Sequence, residues 1–115
     1  VKAHVGDVDF AVQPELVSLL SSRNFGRYAD EKGEMKVCFI SNNDITGGNS
    51  GSAMFNSKGE LLGLAFDGNW EAMSSDILYE PKMQRTIGVD VRYILFMIEK
   101  YGKAGNLIKE LNIIN

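Results

Sequence analysis

Apolar and polar positions change their rhythm several times along the chain, and each change predicts an element. Leu16, Leu19 and Leu20 recur at helical spacing behind Pro14, so Gln13 to Leu20 is predicted as a short helix with proline in its first turn. Asn24 to Glu34 is polar and punctuated by glycine, which predicts a loop. Val37-Cys38-Phe39-Ile40 is an apolar, β-prone run between turn residues and predicts a strand, with Cys38 read as a small buried hydrophobe. A glycine-dense loop follows from Asp44 to Ser52. Ala53-Met54-Phe55 then reads as a short strand, Asn56-Ser57-Lys58-Gly59 as a hairpin turn, and Glu60 to Phe66 as the returning strand.

A polar connection from Asp67 to Gln84 leads to a last strand, Arg85 to Val89. Asp90 suits a helix N-cap, and Val91 to Lys100 reads as a helix ending at Gly102. A further helical turn is expected around Leu107 to Leu111. Tyr93, Phe96 and Met97 fall on inward helix faces, and Trp70 and Glu71 are expected to pack and pin their loop. The succession describes antiparallel strands closed by a C-terminal helix rather than a parallel βαβ unit.

Composition narrows the functional classes. The 115 residues carry a formal net charge of -3, which disfavours nucleic acid and anionic membranes as partners. The longest apolar run, Tyr93 to Ile98, is far too short to span a bilayer. The single cysteine excludes an internal disulfide framework, and no His/Cys/Asp cluster has metal-ligand spacing, so neither metal nor other cofactor is expected. The chain starts at Val1 without a signal peptide and is read as processed or cut from something longer.

The chemistry concentrates in Gly47-Gly48-Asn49-Ser50-Gly51-Ser52. A phosphate-binding loop would need a lysine and a following helix, and neither is predicted here. Acyl transfer fits better. A carbonyl under attack develops charge on its oxygen, and two convergent backbone N–H groups beside a nucleophile stabilise it. Gly48, lacking a Cβ, can turn its N–H inward, and Ser50 adds its own. Ser50, with glycine two before and one after it, is preferred over Ser52 as nucleophile. His4, the sole histidine, stands in a terminal segment without a motif and reads as a surface residue; Asp90 is accounted for as a cap.

Thr46 to Ser52, followed by Gly59-Glu60-Leu61-Leu62-Gly63-Leu64-Ala65-Phe66-Asp67-Gly68-Asn69-Trp70-Glu71, resembles the bacterial dipeptidyl-peptidases of the seven and eleven type. Asn24 to Asp30, Arg85-Thr86-Ile87, Asp90 to Tyr93 and Lys100-Tyr101-Gly102 extend the resemblance over nearly the whole chain. Ala53 departs from it, standing where that family often has proline.

The resemblance implies a periplasmic or secreted serine exopeptidase that removes dipeptides from free N-termini, built as a chymotrypsin-like double β-barrel. Residues 1–115 would be a single partial domain, the C-terminal part of the second barrel, with the catalytic histidine and aspartate upstream. Ser50 would be the nucleophile and Gly48 part of the oxyanion hole. Phe66 would belong to the strand that pairs with substrate, Asp67 would hold the substrate's α-ammonium, and Gly68 would line the primary pocket. Glycine at 68, where acid-specific relatives carry arginine, implies a preference for apolar residues before the scissile bond. Peptides with a free N-terminus are the expected partners, and a homodimer is the assembly considered for the full-length protein. The isolated chain is expected to be inactive and inclined to self-associate through uncovered apolar surface. Two alternatives use the same loop: the second barrel of a bacterial trypsin-like endopeptidase, and a non-catalytic binding module on that barrel.

Overall fold

The computed structural model describes residues 11–74 and 82–114. His4 and part of the Asp67–Gln84 connection therefore lie outside the described residues. The order is helix α1 (Pro14–Ser21), strands β1 (Cys38–Ser41), β2 (Ala53–Phe55), β3 (Leu61–Gly68) and β4 (Thr86–Asp90), then helices α2 (Val91–Phe96) and α3 (Gly105–Lys109). Short 3-10 turns occupy Gly26–Tyr28 and Trp70–Ser74. The four strands form one antiparallel sheet in the order β1-β4-β3-β2. Every predicted strand is present, the first and last each beginning and ending one residue later than their sequence signals and β3 running on from Phe66 to Gly68.

The β2–β3 hairpin closes as its turn residues dictate. Asn56 Oδ1 accepts from the amides of Lys58 and Glu60 (2.9 and 3.0 Å), and Gly59 N donates to Asn56 O at 3.0 Å. Ala65 pairs with Gly88 and Asp67 with Ile87, so Phe66 is an extra residue on β3. This bulge resets the alternation just where the strand reaches the glycine loop.

The core lies between the helices and the stretch before β1. Phe96 is fully buried, with Phe25 and Tyr28 edge-on to its ring at centroid distances of 5.6 and 6.5 Å. Leu95 and Ile108 complete the buried cluster, and Tyr93 and Met97 pack against it. The 24–34 stretch is thus corrected from a plain loop: its two aromatics face inward through the 3-10 turn. Cys38 is also corrected. It is exposed because one face of β1 is left uncovered among the described residues, where the neighbouring Ile40 is 68% exposed. Trp70, at 81% exposed, does not pack its loop.

Asp90 ends β4 and starts α2. Its Oδ1 accepts from Arg92 N at 2.9 Å, and its carboxylate takes the Arg92 guanidinium through Nε (2.9 Å) and Nη2 (2.6 Å). That side chain hydrogen bond and pairing raise the Arg92 pKa above its ordinary value. The helix continues past Phe96 as a π turn, Met97–Tyr101. Gly102, the predicted end of the helix, has φ -75°, and the left-handed position falls on Lys103 (φ 52°). Asp90→Ala removes the cap and strands a half-exposed cation. It is expected to cost about 2 kcal/mol locally, seen as roughly thirtyfold faster amide exchange in the first turn of α2. Asp90→Asn, which keeps an acceptor, should lose less.

Candidate active site

The glycine loop is held at both ends. Thr86 Oγ1, on the fully buried first residue of β4, donates to Asn43 O at 2.7 Å and fixes the chain entering the loop. Inside it, Thr46 N donates to Asn49 Oδ1 (2.7 Å), and the amides of Asn49 and Ser52 close turns on Thr46 O (3.2 Å) and Asn49 O (2.9 Å). At its exit Gly51 N donates to Ala65 O (2.7 Å) and Ala65 N to Ser52 O (2.9 Å). The loop is therefore stitched to β3 through both the N–H and the C=O of Ala65, the residue before the bulge at Phe66.

Ser50 sits on this frame, exposed, and its hydroxyl donates to Phe66 O at 3.3 Å. The bulge supplies that carbonyl, since Phe66 has no partner residue in the β4 register. Gly48 has φ 94°, a left-handed value that L side chains rarely adopt and that glycine takes at no steric cost. Among the described residues neither the Gly48 nor the Ser50 amide has an acceptor. Both residues border a hollow of about 250 Å³ that also meets Phe66, Asp67, Gly68 and Ala72. The sequence-derived site residues are thus together: Ser50, Gly48, Phe66, Asp67 and Gly68 all line one cavity.

Asp67 is exposed, and its Oδ1 accepts from the following Gly68 amide at 2.8 Å. Gly68 is closely surrounded. A Cβ there would lie 2.8 Å from Ala72 Cβ, 3.6 Å from Arg85 O and 4.0 Å from Ile45 Cδ1. Sequence reasoning missed Ala72, Ile45 and Asn69 as parts of this cavity. Asn69 Oδ1 accepts from Ala72 N (3.2 Å) and Arg85 N (2.9 Å), while its Nδ2 donates to Met83 O (2.8 Å). The only available signal was its type, since an asparagine ending a strand often bonds the backbone of the next turn.

The chain matches the Peptidase S46 family over residues 1–113. This chain belongs to that family. It is 63% identical over 106 residues to dipeptidyl-peptidase 7 of Porphyromonas endodontalis, an overlap of 92% of this chain and 13% of that protein. Against dipeptidyl-peptidase 7 of Porphyromonas gingivalis the identity is 59%, over 92% of this chain and 15% of the relative. The Asp/Glu-specific dipeptidyl-peptidase of the same species is 47% identical, again over 92% and 15%. Among solved structures, that of Porphyromonas endodontalis DPP11 in complex with the dipeptide Arg-Glu superposes with a TM-score of 0.90 at 44% identity. It covers 95% of this chain and 16% of that one. The S46 chain thus spans about 15% of the length of the curated relatives it matches. Its four-stranded sheet and helices correspond to one part of the DPP11 structure.

Proposed function

We propose that this chain is the nucleophile-bearing part of a serine dipeptidyl-peptidase that releases dipeptides from free N-termini, taking an apolar residue before the scissile bond. One observation carries the reading: the Ser50 hydroxyl, two unengaged loop amides, a carboxylate and a glycine border one small hollow. Family membership supplies the class of chemistry.

In this reading Ser50 Oγ attacks the carbonyl carbon of the second residue. Its proton passes to a histidine from elsewhere in the full-length polypeptide, because a serine hydroxyl alone is a poor nucleophile at neutral pH. The carbonyl electrons move to oxygen, and the Gly48 and Ser50 N–H groups donate hydrogen bonds to the oxyanion so formed. Collapse breaks the C–N bond, the histidine protonates the leaving amine, and water then releases the dipeptide from the acyl-enzyme. The Ser50–Phe66 hydrogen bond is a resting arrangement that must open for the hydroxyl to reach the base. Asp67, next to the bulge and lining the same hollow, is the residue that meets the substrate's α-ammonium in this reading. The upstream barrel and the catalytic histidine and aspartate belong to this same reading.

The test uses the full-length polypeptide carrying this sequence and fluorogenic dipeptidyl substrates in free and N-terminally blocked form. Free substrates with leucine, methionine or phenylalanine at the second position should be cleaved, and blocked ones should be turned over at least a hundredfold more slowly. An acidic side chain in the second position should also be poor, since among the described residues the hollow is lined by no cationic side chain to replace the hydration it loses and already holds the Asp67 carboxylate. Equal turnover of free and blocked substrates would support the endopeptidase alternative instead.

A further inference from the structure

The hollow beside Ser50 is lined by two small residues, Gly68 and Ala72, in close contact. Gly68 and Ala72 approach so closely that a methyl group on residue 68 would stand 2.8 Å from the Ala72 methyl, well inside van der Waals contact. Ala72 borders the same hollow as Ser50 and Gly68. It is not loosely placed there. Asn69 binds the Ala72 amide twice, through its backbone oxygen (2.9 Å) and its side chain oxygen (3.2 Å). The same carboxamide is bonded to Arg85 N and Met83 O, and Asn69 N donates to Arg85 O at 3.0 Å. These bonds join the Trp70–Ser74 turn to the start of β4, so the Ala72 methyl is carried by a braced segment.

We propose that Ala72 is a second specificity-determining residue, which sets the depth of the pocket that Gly68 leaves open. This rests on the reading of the hollow as the primary pocket. Glycine at 68 is then required for a further reason besides openness: with alanine at 72, any side chain at 68 must push that methyl away. The two positions act as a pair, and their combined volume decides how large an apolar side chain is accepted. A braced wall cannot retreat to absorb an added methylene, so volume added at 72 is subtracted from the substrate.

The experiment measures kcat/KM of the full-length polypeptide on free dipeptidyl substrates with alanine, leucine, methionine or phenylalanine at the second position. Rates are normalised to the active sites titrated by a fluorophosphonate. Ala72→Leu should lower the phenylalanine-to-alanine ratio at least tenfold, and Ala72→Gly should raise it severalfold. Gly68→Ala should depress the large substrates, and adding Ala72→Gly should bring them back to within about threefold of Ala72→Gly alone. The rescue and the glycine variant keep the test decisive if Ala72→Leu fails to fold. Ratios that stay constant while dipeptides are still released would overturn the role of Ala72 and leave the function standing. A wild-type polypeptide that releases no dipeptides would overturn both.

Discussion

Ser50→Ala in the full-length polypeptide is expected to lower kcat/KM on dipeptidyl substrates by roughly four to six orders of magnitude, with the fold intact. The size of the effect follows from the chemistry. The hydroxyl forms the covalent bond, and the neighbouring groups that stabilise charge have nothing to act on without it. Ser50 is exposed and makes a single 3.3 Å hydrogen bond, to Phe66 O, so its loss should not disturb the loop, which is held by other bonds. Ser52→Ala should behave differently. Its backbone, not its hydroxyl, binds Ala65 and Asn49, and turnover should stay within a few-fold of wild type. Comparing the two variants on one substrate separates a nucleophile from a serine that merely shares its loop.

The second large effect is expected at Asp67. Asp67→Asn should cut kcat/KM on free dipeptidyl substrates by roughly one to three orders of magnitude. A carboxylate facing an ammonium removed from water is a strong interaction, and an amide in its place leaves the cation without a counter-charge. The hydrogen bond from Gly68 N to Asp67 Oδ1 can be kept by the asparagine oxygen, so the local turn should survive the change. The loss should therefore fall on substrates with a free amine. A variant with near-normal turnover would remove Asp67 from the site and leave Ser50 untouched.

Much of this architecture is legible in the sequence because it depends on local signals. The β-prone run around Phe39, the Asn56–Gly59 turn and the Asp90 cap each act within a few residues, and each stands within one residue of where its signal predicts. Ser50 and Gly48 stand out as candidates for the same reason, since glycines two before and one after a serine describe a backbone requirement. What escaped depends on partners distant in the chain. The bulge at Phe66 exists only in its pairing with β4, and nothing in Ala65-Phe66-Asp67 announces it. Phe25 and Tyr28 lie in a polar, glycine-containing stretch, yet they find Phe96 about seventy residues later.

Cys38 and Trp70 fail in the opposite direction. Apolar residues were expected to be covered, but an uncovered strand face and a surface turn leave them open. Asn69 and Ala72 carry no motif at all. Their role comes from a turn folding back onto a strand end, which is a property of the tertiary structure.

The most direct test of the account asks which atom is the nucleophile. The full-length polypeptide is treated with a fluorophosphonate at neutral pH, and the modified residue is located by peptide mass spectrometry. A stoichiometric adduct on Ser50 is expected, lost in Ser50→Ala and kept in Ser52→Ala. The 115-residue chain by itself should label at least a hundredfold more slowly, for want of a base to take the serine proton. An adduct on any other serine, or undiminished labelling of Ser50→Ala, would contradict Ser50 as the nucleophile.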